Sequence, residues 1–314
     1  MTAGSSRPIA VLTGPTGTGK SDIALRLARE FPIEIVSVDS AQVYRGLDIG
    51  SAKPDAVTRA AVPHHLLDLV DASAVYSAGQ FVRDATEAIT DIESRGRIPL
   101  LVGGTMLYLR ALISGLATLP QGSGQIRADI DADAARLGWP AMHARLAEVD
   151  AAAAARIHPN DAQRIQRALE VHAVEGRPIS ELQKVTAPPL DREFLVTALV
   201  PADRARLHAS LAQRFQTMLA AGLLEEVRTL YARADLGPES PAIRAVGYRQ
   251  LWSHLSGSGT FETAVEAAVA VTRQLAKRQM TWLRSMPKIR IVDPYDAQGF
   301  VGVRESLKAA FYLL

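Results

Sequence analysis

Residues 9–31 read IAVLTGPTGTGKSDIALRLAREF, and they set the fold. The apolar, β-prone residues 9–13 form a short buried strand. Gly14-Pro15-Thr16-Gly17-Thr18-Gly19-Lys20-Ser21 then matches G-x-x-x-x-G-K-[ST]. From residue 21, Ile23, Ala24, Leu27, Ala28 and Phe31 recur on one helical face. A strand, a glycine-rich turn and a helix N-terminus together make a phosphate cradle. The glycines let backbone N–H groups approach the anion, and the helix dipole favours it. Lys20 adds a positive charge, and the Ser21 hydroxyl suits Mg²⁺. This loop grips a di- or triphosphate whatever hangs from it, so ATP, GTP and an organic pyrophosphate all stay open.

Further along, residues 33–38 (IEIVSV) and 98–102 (IPLLV) read as buried strands, with a helix over 77–95 that stops at Gly96. Strands alternating with helices give an α/β fold of the P-loop type, a parallel sheet flanked by helices. The pattern changes after the loop at 117–124. Residues 127–184 carry no strand signal and much alanine. One helix there is capped by Asn160 or Asp161, aligns Ile165, Ala168, Leu169 and His172, and ends at Gly176 and Pro178. A proline-containing linker, TAPPLD, occupies 186–191, and strands resume at 193–200 and 289–292. The expected organisation is a core domain over 1–118, an all-helical insertion over 119–190, and the rest of the core over 191–314.

The chain has 314 residues, 48% hydrophobic and 22% charged, which suits a globular protein. No apolar run approaches the ~18 residues that span a bilayer, so no membrane partner is expected. Residues 1–8 lack a secretory signal and read as a flexible tail. The absence of cysteine excludes disulfides, thiolate zinc sites and cysteine nucleophiles, and fits the cytoplasm. Charge is uneven. Residues 244–290 hold eight Lys/Arg and two Asp/Glu, a local +6 on a body of −4. Within a helix over 269–284, Arg273, Lys277 and Arg284 fall in an arc of about 40°, opposite Leu275, Ala276, Trp282 and Leu283. Arg164 with Arg167, and Arg244 with Arg249, form further clusters. Such groups are either solvated faces or a surface for a phosphate backbone.

Asp39 follows the strand 33–38 directly. At the C-terminal end of a parallel strand it faces the ligand crevice. It is a Mg²⁺ ligand, a general base or a turn residue. The strand 98–102 ends in Gly103-Gly104-Thr105 without the acid that an NTP-hydrolysing enzyme more often carries on such a later strand.

Over nearly its whole length the sequence resembles bacterial tRNA dimethylallyltransferases, also called tRNA isopentenyltransferases. The matching stretches are GPTGTGKS from Gly14, SVDSAQVYRGLDIGSAKP from Ser37, HHLLD from His64, YSAGQF from Tyr76, IPLLVGGTMLYLRAL from Ile98, RIHPNDAQRIQRALEV from Arg156, AVGYRQLW from Ala245 and TRQLAKRQMTWLR from Thr272. The resemblance implies transfer of a dimethylallyl group from its pyrophosphate to the exocyclic amine of adenosine 37, next to the anticodon of certain tRNAs. It casts Asp39 as the base, Thr16 as a contact to the bridging oxygen, Arg214 as a pyrophosphate ligand and Mg²⁺ at Ser21 as cofactor. It also implies contacts to the anticodon stem-loop from Asp39, Ser40, Ala41 and Gln42; from Thr105 and Arg127; from Gln163, Arg164, Ile165, Gln166 and Arg167; from Arg244, Ala245, Val246, Gly247, Tyr248 and Arg249; and from Lys277, Arg278, Gln279, Met280, Thr281, Trp282, Leu283 and Arg284. The target base must leave its stack to be modified, and the insertion is expected to close over the stem-loop. A monomer is expected. Departures are mild: TGTGKS stands for the commoner TASGKT, GSAKP for GTAKP, and Ala151 sits where Asp-Pro is frequent. His64 and His65 match a family motif and read as structural. The alternatives are a small-molecule or nucleotide kinase, an enzyme that prenylates free adenine nucleotides, and a non-catalytic RNA-binding protein whose loop senses nucleotide.

Overall fold

A computed structural model describes residues 7–312 apart from 118, 121 and 185. Most of the expected N-terminal tail and part of the loop at 117–124 lie outside the described residues. The chain forms two compact units, Met1–Ile113 with Leu190–Leu314, and Ser114–Pro189. Both boundaries fall slightly before the sequence estimates of 118 and 190, and the first coincides with the end of the helix Met106–Ser114.

The larger unit is built on a six-stranded sheet. Its strands are β1 (Ile9–Thr13), β2 (Ile33–Val38), β3 (His64–His65), β4 (Ile98–Gly103), β5 (Phe194–Leu199) and β6 (Arg290–Val292). Their order is β3-β2-β4-β1-β5-β6, and every pairing is parallel. The chain first lays β2 and β3 to one side of β1, returns to insert β4 between β2 and β1, then crosses to the other side. The C-terminal end of β1 is therefore the point where the winding reverses, which in such sheets is the ligand crevice.

Alternation along the strands feeds two apolar layers. Ile9, Val11, Val36, Val38 and Leu101 join a core with Phe81, Ile89, Leu109 and Leu251. Ala10, Leu12, Ile33, Ile35 and Leu100 face Ile23, Leu27, Val303, Leu307 and Phe311. Both faces are covered, so the strands read as unbroken apolar runs. The helix Ala78–Ser94 starts with a reciprocal Ser77–Gln80 capping box. Three elements have no legible periodicity: β3, the helix Ala56–Ala61 and the helix Met106–Ser114. The last (MLYLRALIS) is apolar almost all round because it is enclosed, with Met106, Tyr108, Leu109, Ala111 and Leu112 buried. The basic helix runs over Phe261–Ser285, longer than the expected 269–284, because Thr260 caps it and Ala264 and Ala268 extend its buried face.

The smaller unit has its own core, in which Ile130, Met142, Leu146, Ile165, Leu169 and Val171 pack together. Its helix Ala162–Glu175 is capped by Asp161, whose side chain accepts from the Arg164 N–H, and ends at Gly176 in the left-handed conformation.

One charged residue is buried within the sheet. Glu34, in β2, is 2% exposed. It accepts from both terminal nitrogens of the Arg95 guanidinium and lies 2.7 Å from His65 Nε2, tying β2 to β3 and to the end of the helix Ala78–Ser94. The Arg95 hydrogen bonds overcome the effect of burial and, with His65, lower its pKa from 4.5 to about 2. Its stabilising contribution is therefore complete above pH 4.5 and lost as pH falls toward 2. Glu34→Gln leaves a cationic cluster without its anion and is expected to cost about 3 kcal/mol at pH 7. Urea unfolding between pH 7 and pH 3 should show the difference between variant and parent shrinking with acid.

Candidate active site

The loop after β1 folds as its glycine spacing requires. Gly17 and Gly19 take φ of 79° and 76°, the left-handed region that glycine enters without steric cost. The Thr18 hydroxyl donates to the Pro15 carbonyl at 2.8 Å. The helix Lys20–Glu30 begins with no side-chain cap, so its first N–H groups face the loop's concavity. Close strand ends also need glycine. A Cβ on Gly103 would lie 2.1 Å from the Val38 carbonyl oxygen, and one on Gly14 2.6 Å from that of Leu199.

Lys20 Nζ donates to the carbonyls of Gly14 and Pro15 at 2.9 and 2.7 Å. Burial, reinforced by the positive charge of Arg214 and opposed by Asp39, pulls its pKa down to about 7. Arg214 arrives from the helix Arg204–Ala220 and donates from Nη1 to Thr16 Oγ1 at 2.9 Å. Burial lowers its pKa also, against the charge of Asp39. Thr16 is held from a second side, since its N–H donates to Gln279 Oε1 at 3.0 Å.

Asp39 is both a turn residue and a member of the site. Its Oδ1 accepts from the N–H groups of Ala41 and Gln42 at 2.8 and 3.4 Å. Among the described residues no hydrogen bond engages Oδ2. The turn thus orients the carboxylate and leaves one oxygen for chemistry. Beside it, the Thr105 hydroxyl accepts from the Ser40 N–H at 3.0 Å, joining the ends of β2 and β4. Gln42 accepts from the Ser37 hydroxyl and donates to the carbonyls of Ser51 and Ala52.

These groups converge. Thr16, Lys20, Ser21, Ser37, Asp39, Gln42, Arg214 and Gln279 line one cavity of about 220 Å³, with Gly103, Gly104 and His64 on its wall. Within the sequence the set spans residues 16–279. A larger hollow of about 800 Å³ shares Ala52, Pro54 and Arg214 with it and adds Ile49, Met218 and Ala221. The adjacent histidines are chiefly structural. His64 Nδ1 meets the Val62 carbonyl at 2.7 Å, and His65 bonds Glu34.

The residues that the resemblance assigns to RNA divide by burial. On the basic helix, Arg273, Lys277, Arg278, Thr281 and Arg284 are exposed and Trp282 is half-buried, with Arg110 stacked 5.7 Å from its ring. None of the side chains of Arg273, Lys277, Arg278, Arg284 and Arg249 forms an ion pair among the described residues. In the smaller unit the cations are paired: Arg164 with Asp161, and both Arg127 and Arg167 with the buried Glu170. Gln163 and Gln166 are exposed or half-buried beside them, and the Gln166 amide donates to Asp131. Arg244 pairs with Glu239. Ala245 and Val246 are half-buried.

Several members of those stretches are buried. Ile165, Met280 and Leu283 are core residues, and Tyr248 is fully buried with its hydroxyl donating to Glu226. Gly247 is buried too, and Gln279 faces the phosphate loop. These side chains are engaged in packing or in internal hydrogen bonds. Arg214 and Gln279 had no local signal. Each is one polar residue on an amphipathic helix, and only its partner, Thr16, shows what it does.

Lys20 supplies a direct test of the electrostatics. A bound pyrophosphate ester stabilises the charged ammonium and raises its pKa again. At pH 8 binding should therefore take up close to one proton, and affinity should fall as pH rises from 7 to 9, up to about tenfold per unit. Titration calorimetry of dimethylallyl pyrophosphate in buffers of different ionisation enthalpy measures that uptake. Lys20→Arg, whose guanidinium stays charged, should abolish it.

Comparison with known proteins gives one answer. The IPP transferase family profile matches residues 42–286. A tRNA dimethylallyltransferase of Bordetella petrii is 54% identical over 292 residues, covering 92% of this chain and 93% of the relative. One from Thioalkalivibrio sulfidiphilus is 54% identical over 309 residues, covering 97% of each. Among solved structures, the full-length tRNA isopentenylpyrophosphate transferase of Bacillus halodurans superposes with a TM-score of 0.68 at 32% identity, covering 98% of this chain and all of the other. A eukaryotic dimethylallyltransferase acting on tRNA gives 0.78 at 30% identity, covering 93% of this chain and 75% of that one. With the profile covering most of the chain and these relatives matching over more than nine-tenths of it, the chain belongs to the IPP transferase family, the tRNA dimethylallyltransferases.

Proposed function

We propose that this enzyme transfers the dimethylallyl group of dimethylallyl pyrophosphate to the exocyclic amine of adenosine 37 in the anticodon stem-loop of tRNA. The observation that carries the reading is the meeting of Asp39, with one free carboxylate oxygen, and the phosphate loop in a single cavity. The basic helix, with its unpaired cations, favours a polyanionic acceptor over a free nucleotide.

The chemistry follows from those positions. The amine nitrogen attacks the allylic carbon as its bond to the pyrophosphate oxygen breaks. Positive charge develops on the allyl group and negative charge on the leaving pyrophosphate, and Arg214, Lys20 and the loop N–H groups meet the latter. Thr16 stands at the bridging oxygen. The attacking amine is a weak nucleophile because its lone pair is shared with the purine ring. Asp39 takes its proton, and the free oxygen is the acceptor. The apolar side chains of Ile49, Met218 and Ala221 in the neighbouring hollow suit a branched five-carbon tail.

Mg²⁺ fits this donor set. The Ser21 hydroxyl, in the first turn of the helix, makes no hydrogen bond among the described residues, and a hydroxyl plus phosphate oxygens are the hard ligands the ion prefers. Bound there it would neutralise charge on the pyrophosphate. We further read the enzyme as a monomer acting in the cytoplasm, where its RNA substrate is. No helix among the described residues is long and apolar enough to cross a membrane.

Asp39→Ala should lower kcat at least a hundredfold while tRNA affinity stays within a few-fold. The measurement is incorporation of label from dimethylallyl pyrophosphate into unmodified tRNA with Mg²⁺, followed by mapping of the labelled nucleoside. Parent enzyme that places no label in the anticodon loop, but moves phosphate from ATP to a small molecule, would overturn the proposal.

A further inference from the structure

Gln279 is the polar exception on the buried side of the basic helix. It is 7% exposed and shares that side with Ala276, Met280 and Leu283. A buried amide is costly unless both its ends are paired, and here both are. Oε1 accepts from the Thr16 N–H at 3.0 Å, and Nε2 donates to the Gly104 carbonyl at 2.8 Å. The partners settle the amide's orientation, because one is only a donor and the other only an acceptor. Gly104 makes room for it, since a Cβ there would lie 2.5 Å from Nε2. A leucine or methionine could fill the same space without the polar cost, so hydrogen bonding and not packing is what calls for glutamine.

We propose that Gln279 is a positioning residue for the transfer step: from the basic helix it fixes Thr16, and so the Thr16–Arg214 pair that meets the pyrophosphate. This rests on the function proposed above. With its N–H occupied by Gln279, Thr16 offers the ligand its hydroxyl and not its amide. That hydroxyl is already aligned by Arg214 Nη1 at 2.9 Å. Thr16 is thus clamped from two helices, and Gly104, the residue after β4, anchors the clamp. Gln279 touches no reacting atom, and it faces away from the exposed cations of its own helix.

The test is Gln279→Met, which keeps length and volume and removes both hydrogen bonds, with Gln279→Glu as second variant, which keeps the acceptor and loses the donor. For Gln279→Met, kcat should fall about tenfold or more, the scale of a buried hydrogen bond. Mg²⁺-pyrophosphate binding, measured by calorimetry, should weaken several-fold. KM for tRNA should stay within twofold. Gln279→Glu should lose kcat too, by repulsion at the Gly104 carbonyl, again at constant tRNA KM. Either folded variant retaining kcat and pyrophosphate affinity within twofold of the parent overturns the proposal. So does a rise in tRNA KM that matches the fall in kcat, which would make Gln279 an RNA contact. If Gln279→Met does not fold, the glutamate variant decides by the same criteria. Should the parent enzyme transfer no dimethylallyl group, the function reading fails, while pyrophosphate binding by the variants still decides the role of Gln279.

Discussion

The parallel pairing of Ile9–Thr13 with strands on both its sides is the constraint on which the site depends. One neighbour, Ile98–Gly103, comes from the first half of the chain, and the other, Phe194–Leu199, from beyond the insertion. That pairing brings the Leu199 carbonyl so close to Gly14, and the pairing of β2 with β4 brings the Val38 carbonyl so close to Gly103, that neither position tolerates a side chain. The close approach turns the chain sharply off the sheet, and the turn becomes the phosphate loop. Asp39, at the end of the strand beyond β4, reaches the same crevice because all the strands run the same way.

Charge at the crevice is arranged for an incoming anion. Lys20 and Arg214 are both partly stripped of water, and both find their protonated forms less favourable for it. Groups held in this way need little reorganisation when a pyrophosphate arrives and when it departs, which is the condition for strong stabilisation of a leaving group. Asp39 offsets part of that positive charge, with its orientation fixed by the Ala41 and Gln42 N–H groups.

The basic helix separates two tasks by its faces. Arg273, Lys277, Arg278 and Arg284 point outward with no ion partner among the described residues, whereas Ala276, Gln279, Met280 and Leu283 are buried. The smaller unit follows another rule. Its cations at 127 and 167 share the buried carboxylate of Glu170, and Arg164 leans on Asp161. Paired arginines of this kind are held in place, though each must share its charge.

Whatever is carried by near neighbours was legible in the amino-acid order. The phosphate loop, the strand that ends at Asp39, the buried runs of the sheet, the helical character of the insertion and the basic face at Arg273, Lys277 and Arg284 are local patterns, set by backbone sterics, apolar periodicity and charge spacing. The short strand β3 and the enclosed helix Met106–Ser114 escaped because an element apolar all round, or two residues long, has no period to read. What the tertiary structure alone decided is which distant side chains meet: Arg214 on the Thr16 hydroxyl, Gln279 on the Thr16 amide, and Tyr248 turned inward to Glu226. These contacts join residues up to 263 positions apart. No pattern along the chain encodes them, because they exist only once the strands have paired and the helices have packed onto them.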